Sequence, residues 1–371
     1  MSNTEKAANK DTIDVLMVLT EKCNLNCRYC YENNKSNNRM SFEVARKIID
    51  DELTLVKGTD KKVIFQLFGG EPSLEWELIK KIYEYTMTIN SSNFDSFFMI
   101  TNGTTLDEKK KRWLVERKDT FTCGLSLDGT KEVQDINRSN SYDLIDFEFF
   151  SRTWANQKVK MTIDPFTINK MAECVIHCHE LGFGVLCNLA DGVEWKEDST
   201  EILKNQLMKL VDYYDQHDNL PVCSILQMPI LHAGVTERNR FPKWCGMGTN
   251  IHAYDTKGKK YPCQLYMSLA NKKAEIPDIR EYYPADVLNE KCKKCILFGC
   301  CPTCYGTNCI RGKNQFYHSE VECANIKTQF LATAFLMYKK YKKGLLTLTE
   351  PEEYLLLNGI CKIQNEFANK I

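Results

Sequence analysis

The 371-residue sequence carries no net charge, with 49 Lys and Arg against 49 Asp and Glu. Nucleic acid and anionic membrane surfaces recruit proteins through an excess of basic side chains, so neither is a favoured partner. Long apolar runs are also missing. The longest, Phe330 to Tyr338 (FLATAFLMY), is far too short to span a bilayer and reads as a buried helix near the C-terminus. Lys339, Lys340, Lys342 and Lys343 follow it as a solvated last turn that complements the helix dipole. The opening MSNTEKAANKDTID has no apolar secretory core, so a reducing, cytoplasmic compartment is expected. No internal repeat or low-complexity segment is present, and the 43% hydrophobic content supports a sizeable core rather than disorder.

Cysteine, by contrast, is abundant: eighteen in the chain, three of them within residues 23–30 and nine within 245–323. In a reducing compartment metal ligation outranks disulfides. Cys123, Cys174, Cys178, Cys187 and Cys223 lie between the two groups without ligand-like spacing, and Cys361 lies near the end. Cys123 falls in an expected strand and reads as a small core hydrophobe. Cys174, His177 and Cys178 share a helix at metal-compatible spacing, although packing or surface roles are the simpler reading.

Short apolar runs alternate with amphipathic segments. Strands are expected over 14–19, 63–68, 97–101, 121–127, 159–164 and 184–189, each followed by a helix, over about 42–56, 73–89, 106–117, 142–156, 169–181 and 201–217. Six such βα units predict an α/β fold, a partial (β/α)6 barrel of parallel strands wrapped by helices. After about residue 220 the pattern changes. IHAYDTKGKKYPCQLY reads as a hairpin turning at Lys257-Gly258, Lys291 to Cys309 as a cysteine-rich coil, and about Asn325 to Asn369 as helices broken near Leu348–Pro351. The expected division is a barrel over 1–220, a linker over 221–240, a cysteine-rich domain over 241–325 and terminal helices over 326–371.

Barrels of this class place chemistry where strands end. The loop after the first strand holds Cys23, Cys27 and Cys30. GGEP (Gly69 to Pro72) follows the second strand, TNGT (Thr101 to Thr104) the third and SLDG (Ser126 to Gly129) the fourth, while Asn188 lies near the end of the sixth. These groups converge on one rim. Three closely spaced thiols suit one corner of an iron–sulfur cube, although a partial zinc site or buried thiols have the same residues.

The C-x3-C-x2-C spacing on that loop resembles the radical S-adenosylmethionine (radical SAM) superfamily. The resemblance implies that Cys23, Cys27 and Cys30 hold three irons of a 4Fe–4S cluster and leave the fourth to the amino and carboxylate groups of SAM. It implies further that Tyr29 lies against adenine and that the backbone of Gly69, Gly70 and Glu71 meets the SAM amino group. Thr101 and Asn102 would make polar contacts around the ribose, and Ser126 and Arg138 would meet the ribose and the methionyl carboxylate. A guanidinium is a natural partner for that carboxylate.

The later cysteines resemble the SPASM extension, which carries two auxiliary 4Fe–4S clusters. Cys245 and Cys263 fit C-x12-G-x4-C around Gly258. Cys292, Cys295 and Cys301 fit C-x2-C-x5-C, but the next gap, to Cys304, is two residues rather than three. The resemblance places one cluster on Cys292, Cys295, Cys301 and Cys323. The other falls on Cys245, Cys263 and Cys304, with Cys309 as a fourth ligand or an iron left open; Cys300 competes with its neighbours for a place. By spacing alone CKKC…CPTC also fits a structural zinc site.

The resemblance implies an oxidoreductase that generates a 5′-deoxyadenosyl radical to take hydrogen from an unactivated C–H bond of a ribosomally made peptide. The expected outcome is an oxidative cross-link, a thioether or a carbon–carbon bond. The alternative is an anaerobic sulfatase-maturating enzyme that forms formylglycine. Those enzymes carry an aspartate base after the YPC cysteine, where this chain has Gln264, and a further cysteine before the hairpin, where CGMGTNIH offers only Cys245. A neutral amide cannot accept a proton in that role. A non-catalytic iron–sulfur or zinc scaffold and a tRNA-modifying enzyme are alternatives of other classes; zero net charge counts against the latter. An electron donor such as flavodoxin or ferredoxin is implied. Only 22 residues precede Cys23, too few for a leader-binding domain, so the leader is expected on the barrel mouth, the terminal helices or a separate protein. No catalytic base is assigned: Asp128 and Asp164 read as turn and strand caps.

Overall fold

The first strand, β1 (Thr12–Thr20), is buried over nearly its whole length, as expected of a parallel strand covered on both faces. The computed structural model describes residues 11–235, 245–271, 290–310 and 319–368, without the side chains of 309 and 310. β1 pairs in parallel with β2 (Lys62–Gly69), β2 with β3 (Phe94–Thr101), and β3 with β4 (Phe121–Leu125). β5 (Lys158–Ile163) and β6 (Gly184–Leu189) form a parallel pair of their own. A Ser126–Lys160 bridge, with Leu127 N–H donating to the Lys160 carbonyl at 3.0 Å, joins that pair to the edge beyond β4. The six strands thus form one curved wall, the partial barrel expected from the alternation.

The helices outside the wall are α1 (Phe42–Leu55), α2 (Trp76–Ile89), α3 (Glu108–Val115), α4 (Lys131–Asn137), α5 (Phe147–Thr153), α6 (Met171–Glu180) and α7 (Ser199–Gln216). Local chemistry explains their starts. The Ser41 hydroxyl caps α1 through Val44 N–H at 3.3 Å, and the Asp107 carboxylate caps α3 through the N–H groups of Lys109 and Lys110. The helix expected over 142–156 is instead a 3₁₀ turn at Tyr142–Leu144 followed by α5, because the Asp146 carboxylate caps a fresh start by accepting from Phe149 N–H. The two-turn α4 is too short to show a period in the sequence.

The expected hairpin is present as β7 (Ile251–Tyr254) and β8 (Lys260–Tyr261), with the Asp255 carboxylate accepting from Lys257 and Lys259 N–H and Gly258 at φ +79°. Its β7 strand adds in parallel to β1, giving the order β4-β3-β2-β1-β7-β8. The alternation of β1 serves this arrangement. Val15, Met17 and Leu19 enter the barrel core, while Leu16 and Val18 enter an apolar cluster with Ala253, Tyr261 and Cys263.

A short α8 (Ile230–Gly234) precedes the hairpin. The segment expected as coil contains α9 (Glu290–Lys294) and α10 (Tyr305–Ile310), single-turn helices that periodicity cannot register. α11 (Glu320–Lys342) starts at a Ser319 cap, earlier than expected, and packs on α7. α12 (Glu350–Phe367) starts with a Thr349–Glu352 capping box and Pro351 in its first turn, which places the break where the sequence put it. Among the described residues no helix is long and apolar enough to cross a membrane.

One buried group locks the hairpin to the barrel. The Glu52 carboxylate on α1 accepts from Lys260 Nζ at 2.9 Å and from the Tyr254 hydroxyl, and lies 2.6 Å from His252 Nδ1. Burial would raise its pKa, but the hydrogen bonds from His252, Tyr254 and Lys260 outweigh burial and hold it at about 2. An unfolded glutamate titrates near ~4.3. This stabilisation is therefore complete above that value, on the order of 3 kcal/mol, and disappears as pH falls through about 2. Glu52→Gln should lower the denaturation midpoint at neutral pH and flatten its decline in acid. An unaltered acid decline in the variant would show that this cluster contributes nothing.

Candidate active site

The C-terminal ends of the strands meet at one cavity. Its lining contains Cys23, Cys27, Cys30 and Tyr29 from the loop after β1, and Gly69, Gly70 and Glu71 after β2. Thr101, Asn102, Ser126, Arg138 and Asn188 complete the set, so the fold brings together every barrel residue singled out in the sequence.

The cysteine loop is held from outside. Asn26 N–H donates to Ser139 Oγ at 2.9 Å and Arg28 N–H to the Asn137 carbonyl at 3.1 Å. The Arg28 guanidinium stacks 3.8 Å from the Phe166 ring centroid and lies 3.6 Å from Asp164. Burial pushes all three thiols up, Cys30 to about 11, so only a bound cation would leave them as thiolates at neutral pH. Three soft donors on a short loop, facing a cavity, fit one corner of an iron–sulfur cube.

The glycines have a structural reason. Gly70 N–H donates to the Thr20 carbonyl and Glu71 N–H to the Lys22 carbonyl, both at 2.9 Å. These N–H groups are occupied, and an ammonium needs acceptors, which the carbonyls of this segment can supply. A Cβ on Gly70 would sit 2.5 Å from the Lys22 carbonyl oxygen, against the backbone that leads into Cys23. Gly70→Ala should therefore cost roughly 1–3 kcal/mol of overpacking and displace the cysteine loop. Iron loading should fall while the far-UV spectrum persists; full iron retention would refute the contact's importance.

Glu71 is a pin rather than a free carboxylate. It is buried and accepts from Ser73 N–H, Ser73 Oγ, Thr101 Oγ1 (2.7 Å) and Asn102 N–H (2.8 Å). The Asn102 side chain reaches back to Asn24 Oδ1 at 2.9 Å, tying β3 to the cysteine loop. Thr101 and Asn102 thus line the cavity with side chains engaged by protein partners.

Asp128 is the hub on the other side. Its carboxylate accepts from the Tyr29 hydroxyl and from Thr162 N–H (3.0 Å), and pairs with Arg138 Nε at 3.0 Å; Asp128 and Arg138 are both buried. Burial alone would favour loss of the Arg138 proton, and the Asp128 carboxylate outweighs it. The guanidinium lies over the Tyr29 ring, 5.4 Å from its centroid. Sequence reading treated Asp128 as a turn residue because its partners come from three separate segments.

Lys35, Lys160, Asp191 and Tyr31 also line the cavity and were not singled out. The signal for Lys160 was available: β5 alternates Val159, Met161 and Ile163, all buried, with Lys158, Lys160 and Thr162 on its other face. Burial depresses the Lys160 ammonium against the opposing charge of Asp191. With the Asn188 amide oriented to satisfy both its ends, its oxygen accepts from Lys160 Nζ at 2.9 Å. Asp191 Oδ1 accepts from Thr307 Oγ1 of α10 at 2.8 Å, so this wall touches the cysteine-rich segment. Tyr31 packs against the apolar cluster of the hairpin, which includes Cys263 and Leu265, the two neighbours of Gln264.

The later thiols fall into two neighbourhoods. Burial, and then the charge of neighbouring thiols, raises Cys292, Cys301 and Cys323, which stand near Cys295, and likewise raises Cys263 and Cys304, which stand near Cys245. Cys300 is buried in the apolar cluster of the terminal helices, and the side chain of Cys309 lies outside the described residues. Cys123, Cys174 and Cys178 are buried in the barrel core, and Cys361 is exposed.

Residues 17–147 match the family described as the Radical SAM superfamily. The chain is 39% identical over 124 residues to the uncharacterized protein MJ0907 of Methanocaldococcus jannaschii, covering 33% of this chain and 41% of that one, so it spans less than half of that relative. It is 27% identical over 325 residues to a cysteine-type anaerobic sulfatase-maturating enzyme of Clostridium perfringens, covering 75% of this chain and 84% of that one. Its fold matches the solved structure of native anSMEcpe with bound AdoMet and Cp18Cys peptide, with a TM-score of 0.66 at 20% identity, over 95% of this chain and 99% of that chain. Residues 17–147, which carry the three-cysteine loop and the glycine segment on the rim of the partial barrel, are thus similar to the Radical SAM superfamily, and the fold of the whole chain is that of the AdoMet-binding neighbour.

Proposed function

We propose that the chain modifies a ribosomally made peptide by hydrogen abstraction and oxidative cross-linking, through a thioether or a carbon–carbon bond. The observation that carries the cross-link reading is Gln264: the position after the hairpin cysteine offers a neutral amide, not a carboxylate that could accept a proton. When bound, SAM and a reduced 4Fe–4S cluster supply the 5′-deoxyadenosyl radical.

On this reading Cys23, Cys27 and Cys30 hold the site cluster, and Tyr29, Gly69, Gly70, Glu71, Thr101, Asn102, Ser126, Arg138 and Asn188 surround SAM. Arg138, held charged by Asp128, would meet the methionyl carboxylate. Lys160 and Asp191 would orient the peptide where the barrel meets α10. Cys292, Cys295, Cys301 and Cys323 would hold one auxiliary cluster, and Cys245, Cys263 and Cys304 the other, in a domain spanning 241–325. The partners would be a precursor peptide, a flavodoxin or ferredoxin, and a separate leader-binding protein where one is needed.

The likeness to a sulfatase-maturating enzyme over 84% of that relative favours a second reading, formylglycine formation. One experiment separates the two. The anaerobically reconstituted protein is given SAM, reductant and peptides encoded beside its gene, and the products are analysed by tandem mass spectrometry. Loss of two hydrogens with a thiol or aromatic ring newly blocked supports the cross-link. A hydrazine-reactive aldehyde overturns it in favour of formylglycine.

A further inference from the structure

Lys35 follows Cys30 in the same loop, and its half-buried side chain lines the cavity with all three thiols. Its Nζ donates to the Leu25 carbonyl at 3.1 Å, in the stretch between Cys23 and Cys27. Among the described residues Lys35 forms no ion pair, and the buried Glu32 carboxylate of the same loop lines the cavity with it and opposes part of its charge. The Lys35 charge is the leading one at the sulfurs of Cys23 and Cys30, and at Cys27 it acts behind Arg138 and Asp128. Arg138 is paired with Asp128, whose carboxylate opposes it at Cys27.

Reducing a cluster held by three thiolates adds one negative charge at the cavity wall. A nearby cation stabilises the reduced form more than the oxidised one, and low local dielectric enlarges the difference. We propose that Lys35 is a positioning residue that raises the reduction potential of the site cluster, bringing it within reach of a biological one-electron donor, while its bond to the Leu25 carbonyl keeps the cation inside the loop. This rests on the reading that Cys23, Cys27 and Cys30 hold the cluster.

The test is an anaerobic redox titration of the reconstituted full chain followed by electron paramagnetic resonance. SAM is added as the probe that identifies the site signal, since only a cluster with an open iron responds to it. Lys35→Met and Lys35→Gln remove the charge, Gln keeping a hydrogen-bond donor, and Lys35→Arg retains it. At the potential where the parent protein is half reduced, the neutral variants should show about a tenfold lower ratio of reduced to oxidised site cluster, equal to about 59 mV for one electron, and the Arg variant should match the parent. Equal potentials in all four proteins would overturn the proposal. So would weaker SAM binding at unchanged potential, which would make Lys35 a SAM contact, or loss of iron in the Gln variant, which would make it a loop fastener. If the SAM-responsive signal survives in Cys23→Ala/Cys27→Ala/Cys30→Ala, the cluster assignment itself fails, whatever Lys35 does.

Discussion

Replacing Cys23, Cys27 and Cys30 together with alanine is expected to reduce SAM cleavage to background while the C-terminal cysteines keep their iron. The effect is all-or-none because these are the only thiols lining the cavity among the described residues. The later thiols stand in other apolar clusters, Cys263 beside the hairpin and Cys295, Cys300 and Cys301 under the terminal helices. They cannot substitute for a ligand on the loop. The fold should survive, because backbone and side-chain bonds fasten the loop independently of the thiols: Asn26 to Ser139, Arg28 to Asn137, and Asn24 to Asn102 and Thr104. Iron and sulfide analysis should report one cluster fewer per chain, and chromatography of 5′-deoxyadenosine should report no turnover. Persistent cleavage would move the radical site elsewhere.

The second large effect is expected at Asp128. Asp128→Asn keeps the shape of the side chain but leaves Arg138 as a buried, uncompensated cation. Removing one partner of a buried ion pair typically costs about 3–5 kcal/mol. The same change weakens the hold on Tyr29 and on the β5 backbone at Thr162, so two walls of the cavity loosen together. Denaturation by urea should therefore show a clearly lower midpoint, and SAM binding measured by calorimetry should weaken with it. Adding Arg138→Met to Asp128→Asn should recover part of the stability, since no buried charge then remains, but not the SAM affinity. Recovery of both would mean that Arg138 serves packing alone.

The two predictions draw on different kinds of information. The cysteine loop was legible from local spacing: C-x3-C-x2-C, GGEP, TNGT and SLDG each follow a strand whose apolar run is visible in the chain. Three or four consecutive residues suffice to shape such a strand end, and the structure places them all on one cavity. The turn at Gly258 and the helix break before Pro351 were legible for the same reason, since their capping and turn chemistry is confined to a few neighbours.

Asp128 as hub, Lys35 and Asp191 as cavity walls, and Glu52 as the clamp on the hairpin were not legible. Glu52 meets His252 across 200 residues, and Asp191 meets Thr307 across 116. No periodicity connects positions so far apart. The addition of β7 to the edge of β1 belongs with them, because a strand's own sequence sets its alternation and not its neighbour. The amino-acid sequence by itself therefore determined the succession of strands along the barrel segment, the cysteine loop and the turns that carry the chemistry, all products of short-range sterics and hydrogen bonding. Only the tertiary structure decided which buried charges face one another and which thiols share a neighbourhood, because those depend on how the sheet closes and what its closure removes from water.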